Sequence, residues 1–458
     1  MSQRRRHFSP RRSPQEDVRV AAAWVVERTL SSLAPVDSFL SGALGRFDER
    51  DRGFLNELVY GTLRWLRRLD EVIDQASNRR FDRIEPVLLG PLRIGAYQIL
   101  FLDRVPHHAA VSEAVDQARS LTHKGGASFV NAVLRRIARS PSLDEWPVEA
   151  KDPARRLAIE MSHPDFLVRR WLDRFGEART RELLAVNNLQ KPLQLLAFRD
   201  RGGRELLAER LIDSNVEVDP SRLSLLGLVV RGGDPFAAEA FADGDFYVQD
   251  EASQAAALIP PPQPGERILD AAAAPGGKSF ALVAWEPTVR PVLADVSLAR
   301  LHTVRENLDR LGRRLPLLLS DAAQPPFDQV FDRVVVDLPC SGTGTLRKNP
   351  ELKWRLSEDE VERLSRQGGE MLRGVAGAVR PGGLLVAITC SLEAEENEEV
   401  VARFLHEQEE FELLDLTSRL PPPLGRAIAG PGLWRLLPGG NHDGFTVSVL
   451  RRRGGQPI

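Results

Sequence analysis

From Val18 to about Arg139 the apolar residues return at spacings of three and four, as one buried helix face requires. Leu55, Leu58, Val59, Leu63, Leu66 and Leu69 are the clearest run, and similar stretches cover Val18–Leu33, Val87–Leu102, Ala109–Leu121 and Ser128–Ile137. Turn-like breaks at Ala34-Pro35, Val105-Pro106 and Lys124-Gly125-Gly126 are short, which predicts a compact bundle. Residues 141–190 read as a helical connector punctuated by Pro141, Pro147, Pro153 and Pro164. Residues 191–245 combine strand-like QLLAF and LGLVV with helix-like RELLAERLI, a small mixed module. From Phe246 to about residue 453 short apolar runs alternate with helical segments: Arg267–Ala271, Pro291–Ala294, Leu315–Leu319, Arg333–Asp337 and Leu384–Thr389. Parallel strands covered on both faces have this pattern, so a Rossmann-like, doubly wound α/β sheet is predicted, with ligands at the carboxyl ends of its strands. The fold class is thus α plus α/β and multidomain: an all-α segment over 16–140, the connector, the small module and a sheet domain over 246–453.

Composition narrows the function classes. The chain has 458 residues, 42% hydrophobic and 28% charged, enough apolar mass for several cores. No apolar run approaches the ~18 residues of a membrane helix. With only Cys340 and Cys390, neither a disulfide scaffold nor a multi-cysteine zinc site can be built, and a reducing cytoplasm is expected. Residues 1–140 hold 23 Lys and Arg against 16 Asp and Glu, a balance of +7. The remainder then carries −9, recovering the total of −2. A basic front on an acidic body suggests a polyanionic partner held at one end. Residues 1–15, with five Arg and no acid, read as a disordered basic arm, and RRRGGQPI as a fraying end.

Five strand ends carry the candidate chemistry. Ile268-Leu269-Asp270 runs into Ala271-Ala272-Ala273-Ala274-Pro275-Gly276-Gly277-Lys278-Ser279, a small-residue loop opening a helix, whose backbone can approach a ligand and aim N–H groups at it. Gly277-Lys278-Ser279 matches the end of a Walker phosphate loop. That motif, however, needs glycine where Ala272 stands, and Pro275 removes a donor. Asp295 and Asp321 close the next strands, each either a helix cap or an acceptor for ribose hydroxyls. Together these outline an elongated site for an adenosine-like ligand. Val334-Val335-Val336 then leads into Asp337-Leu338-Pro339-Cys340-Ser341-Gly342-Thr343-Gly344, and Leu385–Ile388 into Thr389-Cys390-Ser391 with Glu395-Glu396-Asn397-Glu398 beyond. One cysteine past a buried strand is ordinary packing. Two, both on the ligand-binding edge of one sheet, point to function.

The AAPGGKS loop, the DLPCSGTG segment and the TCS…EENE segment resemble the RNA cytosine methyltransferases of the Nol/Nop/Sun class. LGPLRIGAYQILFLDRVPHHAAVSEAV and GGASFVNAVLRRI resemble a NusB-like RNA-binding domain, which implies that role for residues 16–140. The combination, spanning roughly Val18 to Arg453, is similar to the bacterial small-subunit rRNA cytosine-5 methyltransferases of the Sun type. The resemblance implies S-adenosylmethionine as cofactor, no metal, no membrane, and small-subunit rRNA or a pre-assembly particle as partner of a monomeric cytoplasmic enzyme. It assigns Ala272, Ala273, Ala274, Pro275, Gly276, Gly277, Lys278, Asp295, Asp321 and Asp337 to the cofactor site. It makes Cys390 the nucleophile and Cys340 the group for product release; Asp337, at its strand end, also lies where a carboxyl group could hydrogen-bond the ring nitrogen or exocyclic amine of the base. The family's loop often begins with Cys where this chain has Ala272, and QLLAFR at Gln194–Arg199 departs from the usual strand of the small module, here expected to bind RNA.

Such chemistry needs a thiol because carbon 5 of cytosine is a poor nucleophile until a thiolate adds to carbon 6. Lys278 is either a cation lowering a thiol pKa or a structural lysine. Basic Arg347–Trp354 either grips RNA or packs as an anchor. Competing readings are the same reaction on transfer or large-subunit RNA, methylation of an exocyclic amine, and a non-catalytic NusB-like assembly protein. The amine reading wants Asp/Asn-Pro-Pro-aromatic where this chain has Asp-Leu-Pro-Cys.

Overall fold

A computed structural model describes residues 17–454 except 33 and 123; the expected arm over 1–15 and the last residues of the expected fraying end lie outside the described residues. The chain forms two compact units: residues up to Asn188 together with Asn349–Arg355, and Leu189–Lys348 together with the residues from Leu356 onward.

The first unit is all helix: α1 (Val18–Leu30), α2 (Asp37–Leu44), α3 (Glu49–Ala76), α4 (Pro86–Phe101), α5 (His107–Leu121), α6 (Lys124–Arg139), α7 (Pro153–Glu160) and α8 (Asp165–Asn187). Asp17 and Asp48 cap α1 and α3, accepting from the Arg19 and Asp51 N–H groups. The periodic leucines of α3 are buried, as their spacing predicts. Gly125-Gly126, read from sequence as a break, is instead the first turn of α6. The cost of glycine in a helix is modest, and Gly126 packs so closely under Thr122 that a larger residue would not fit. Pro153 and Pro164 open α7 and α8, so the connector's prolines start helices more than they interrupt them. Arg93 of α4 is locked in the core by Asp70 of α3 at 2.8 Å and Glu27 of α1 at 2.9 Å.

Residues 349–355 are an integral part of this helical unit. Trp354 packs against its core and donates from Nε1 to the Leu63 carbonyl at 2.7 Å. The Lys353 ammonium is 1% exposed and donates to the Asn188 side chain at 2.7 Å and to the Arg64 and Ser162 carbonyls at 3.2 Å. Burial and the Arg64 charge push its pKa well down. The anchor alternative for Trp354, partly buried, is therefore the observed one, and burial excludes Lys353 from gripping RNA.

The second unit holds two sheets. β1 (Gln194–Ala197), α9 (Gly203–Asp213), β2 (Glu217–Pro220), β3 (Gly227–Gly232), α10 (Glu239–Ala242) and β4 (Phe246–Val248) build a small mixed module. Its sheet is antiparallel, in the order β2-β3-β1-β4. Phe246–Val248, read from sequence as the front of the methyltransferase segment, pairs with β1 in this smaller sheet.

After α11 (Glu251–Ala257) come β5 (Arg267–Asp270), α12 (Gly277–Trp285), β6 (Arg290–Asp295), α13 (Leu298–Arg310), β7 (Leu317–Leu319), β8 (Phe331–Asp337), α14 (Glu358–Ala376), β9 (Val379–Thr389), α15 (Glu398–Glu407), β10 (Phe411–Leu413), β11 (Ile428–Gly430), β12 (Leu433–Leu436) and β13 (Phe445–Arg452). The large sheet runs β11-β12-β13-β9-β8-β5-β6-β7, with β10 also on β13. β9, β8, β5, β6 and β7 are mutually parallel, as the five apolar runs predict. β13 is antiparallel to β9, so the sheet is mixed. No described helix is long and apolar enough to cross a membrane.

Arg333 of β8 and Glu266, just before β5, form an ion pair at 2.8 Å with both side chains 1% exposed. Arg333 also donates to the Pro260 and Pro261 carbonyls. Removing one partner of such a pair strands the other charge in a low dielectric. Glu266→Ala is expected to lower the unfolding free energy by about 3–5 kcal/mol, read from the denaturant midpoint of the transition that reports the sheet.

Candidate active site

A cleft of about 460 Å³ opens at the carboxyl ends of β5, β6, β8 and β9. The parallel strands deliver one group each: Asp270 ends β5, Asp295 ends β6, Asp337 ends β8, and Cys390 follows Thr389 at the end of β9. Of the sequence-predicted residues, Ala272, Asp295, Asp321, Asp337, Cys340 and Cys390 line this cleft together. Gln367, Glu370 and Met371 of α14 form a wall that strand-end reasoning did not reach.

Ala273, Ala274, Pro275, Gly276, Gly277 and Lys278 do not line the cleft but shape its edge. Sequence reasoning aims the loop's N–H groups at a ligand; three of them are engaged within the protein. Ala273 N–H donates to the Ala294 carbonyl at 2.8 Å, Ala274 N–H to the Asp295 carboxylate at 3.3 Å, and Gly276 N–H to the Ala273 carbonyl at 2.6 Å. Gly276 has φ 112°, and a Cβ there would run into the Phe280 ring, so glycine is required twice over. The Asp295 carboxylate, 1% exposed, also accepts from Ser297 N–H at 3.0 Å.

The two thiols meet at the floor. Cys340 Sγ lies 3.6 Å from Cys390 Sγ. Their loops are joined just beyond the sulfurs. The Glu396 carboxylate accepts from Ser341 N–H at 2.7 Å and Ser341 Oγ at 2.6 Å. Ser341 Oγ is 3.3 Å from Ser391 Oγ, which is 3.4 Å from Thr343 Oγ1. Thr343 Oγ1 accepts from Leu392 N–H, and Gly344 N–H donates to the Cys390 carbonyl, both at 2.9 Å. A Cβ on Gly344 would sit 2.9 Å from that carbonyl oxygen, so only glycine permits the approach.

Charge in this site is dense and buried. Lys278 Nζ donates to Asp337 Oδ2 at 2.7 Å and lies over the Phe445 ring. Burial disfavours the ammonium, but Asp337, Cys390 and Asp270 together raise its pKa. Burial pushes Asp270 up to about 6, although the Ser279 hydroxyl at 2.7 Å and Lys278 hold it down. Burial likewise brings Glu396 up to about 7, against its serine hydrogen bonds. The Cys340 thiol is raised well above its usual range by its hydrogen bond to the Cys390 sulfur, then by burial and the charges of Cys390, Glu396 and Asp337.

Residues 257–451 match the family model described as 16S rRNA methyltransferase RsmB/F, and residues 19–139 match the NusB family model. The chain is 34% identical over 418 residues to the probable ribosomal RNA small subunit methyltransferase B of Bacillus subtilis strain 168, covering 89% of this chain and 92% of that one. It is 34% identical over 439 residues to ribosomal RNA small subunit methyltransferase B of Pseudomonas putida KT2440, covering 94% and 98%. This chain belongs to the RsmB/F family of 16S rRNA methyltransferases. Among solved structures it is similar to that of PH0851, with a TM-score of 0.78 at 27% identity over 95% of this chain and 99% of that one. NSun6 from Pyrococcus horikoshii with SFG shares the fold, with a TM-score of 0.55 at 19% identity over 63% and 97%.

S-adenosylmethionine is the methyl donor of this family member, and the cleft suits it. The volume falls within the range of ligand pockets, carboxylates stand at successive strand ends, and Val296 offers an apolar side chain, 65% exposed, beside Asp295. Among the described residues no His, Cys, Asp and Glu group is arranged to hold a metal ion.

Sequence reasoning missed the junction between the cysteine loops. Its signal was present: each cysteine is followed by serine, Cys340-Ser341 and Cys390-Ser391, and an acid-rich segment follows the second. Glu396→Gln removes the charge that, above about pH 7, opposes thiolate formation at Cys340. Alkylation of Cys340 by iodoacetamide, followed by peptide mass spectrometry from neutral to alkaline pH, is therefore expected to begin at lower pH in the variant. An unchanged or upward-shifted profile would contradict this electrostatic coupling.

Proposed function

We propose that the protein transfers a methyl group from S-adenosylmethionine to carbon 5 of a specific cytosine in 16S rRNA through a covalent bond between Cys390 and the base. The observation that carries this reading is the pair of thiols, 3.6 Å apart, in the cleft that Asp295 also lines. The names of the relatives, small-subunit rRNA methyltransferases, support the choice of RNA. We take the enzyme to act as a monomer in the cytoplasm.

Asp295 and Asp321 would accept hydrogen bonds from the cofactor's ribose, with Ala271 and Ala272 as the wall beside them and the loop on to Lys278 behind it. The cofactor supplies an electrophilic methyl group when bound. The target base leaves its stack, because the face of the ring must reach the sulfur. The Cys340 thiol, held protonated, lies within hydrogen-bond reach of the Cys390 sulfur. Cys390 thiolate adds to carbon 6, and the resulting enamine makes carbon 5 nucleophilic. Asp337 is fixed by Lys278 on the same side and can bond the ring nitrogen or amine as charge develops there. After methylation carbon 5 still carries its proton. With Cys390 bonded to the base, Cys340, 3.6 Å from it and with its own proton passed to solvent, would act as the base that takes it. The C5–H pair becomes the ring double bond, the C6–S bond breaks, and Cys390 departs as thiolate.

Cys340→Ala, incubated with rRNA and S-adenosylmethionine, is expected to accumulate a protein–RNA adduct that survives denaturation and disappears when Cys390 is also replaced by Ala. Full methyl transfer by Cys390→Ala alone would sink the mechanism. Bisulfite sequencing of total RNA from a deletion strain assigns the RNA: a lost 5-methylcytosine in 16S rRNA is expected, and one in transfer or 23S rRNA would redirect it.

A further inference from the structure

α5 and α6 of the helical unit pack as a hairpin, and a groove of about 740 Å³ runs between them, remote in sequence from every residue of the active site. Val111 and Val115 contribute to its floor, and His108, Arg119, Arg135 and Arg139, all exposed, to its rim. No carboxylate lines it. This stands out against its surroundings. Of the +7 balance over residues 1–140, five charges lie in residues 1–15, so residues 16–140 hold 18 basic against 16 acidic side chains and are close to neutral.

The arginines of α6 divide into two kinds. Arg136 serves the fold: it donates to the Ala76 carbonyl at the end of α3 and lies over the Trp146 ring. Arg135 and Arg139 make no hydrogen bond or ion pair among the described residues, although elsewhere in the chain exposed arginines such as Arg169, Arg179 and Arg181 are paired with acids. One helical turn apart, Arg135 and Arg139 share a face, an arrangement of like charges that weakens a helix. On the facing helix, Arg119 is shared with the exposed Asp116.

We infer that this α5–α6 groove is an RNA-backbone site, in which Arg135 and Arg139 each bond a phosphate while the apolar floor lies under the sugar edge. Guanidinium groups suit phosphate through their planar fork of donors, and unpaired ones give up no internal partner on binding. The choice of RNA as the polyanion rests on the rRNA reading above. The site would hold a stretch of rRNA separate from the target cytosine.

The test uses the full chain and a small-subunit rRNA transcript, with binding measured over a salt series. Arg135→Ala/Arg139→Ala is expected to weaken binding about tenfold and to make the slope of log K against log salt shallower by about 1.4, two contacts at ~0.7 each for single-stranded RNA. The comparison variant Arg46→Ala/Arg50→Ala removes the same charge from exposed positions outside the groove and should leave the slope near that of the wild type. Circular dichroism and calorimetric binding of S-adenosylmethionine check that both variants are folded. An unchanged slope in the groove variant overturns the site, and leaves an acidic protein segment as its occupant. Equal losses in the two variants also overturn it, in favour of diffuse charge. A wild type that binds no rRNA overturns the rRNA reading itself, and the site with it.

Discussion

The chemistry proposed for this protein depends on holding two sulfurs at 3.6 Å from loops 50 residues apart in sequence. Neighbouring parallel strands deliver the two chain ends but do not set their separation. That is done by the hydroxyls of Ser341, Ser391 and Thr343, gathered around the Glu396 carboxylate, and by the direct bond from Gly344 to the Cys390 carbonyl. All of these groups are buried. Buried polar groups are expensive unless each finds a partner, so the network has little freedom to rearrange. The cysteines inherit that rigidity.

Around this junction the unit keeps several ionisable groups away from water at once. Lys278 balances Asp337 directly and Asp270 and Cys390 at longer range, so its charge is stabilised although it is buried. Asp270 and Glu396 have less compensation and move up toward neutrality. Lys278 is therefore tied into the site's electrostatics through Asp337, which joins the two alternatives that its sequence position leaves open.

Much of this was legible because period and chemistry coincide. The apolar stripe of α3 and the alternation of short runs and helices from residue 267 reflect burial, which sequence reports directly. PC and TC at successive strand ends announced the thiols. Tertiary placement was less visible. Gly125-Gly126 has the composition of a turn but is a close-packed helix start. Lys353 and Trp354 look like a basic, aromatic RNA grip, yet Lys353 is buried and Trp354 partly buried in the helical unit, each bonded to a carbonyl some 290 residues back along the chain. Nothing local distinguishes a lysine that will be desolvated by distant carbonyls from one that will stay in water. The loop donors of Ala273 and Ala274 were misread for the same reason, because their acceptors lie on β6.

The most direct test of the central claim is to trap the wild-type protein on rRNA containing 5-fluorocytidine, with S-adenosylmethionine present. Fluorine at carbon 5 cannot leave as a proton does, so the adduct persists, and its attachment point can be read by mass spectrometry after tryptic and nuclease digestion. The account predicts the modified nucleotide on the peptide containing Cys390. Attachment at Cys340, or no covalent product under conditions where unsubstituted rRNA is methylated, would contradict it.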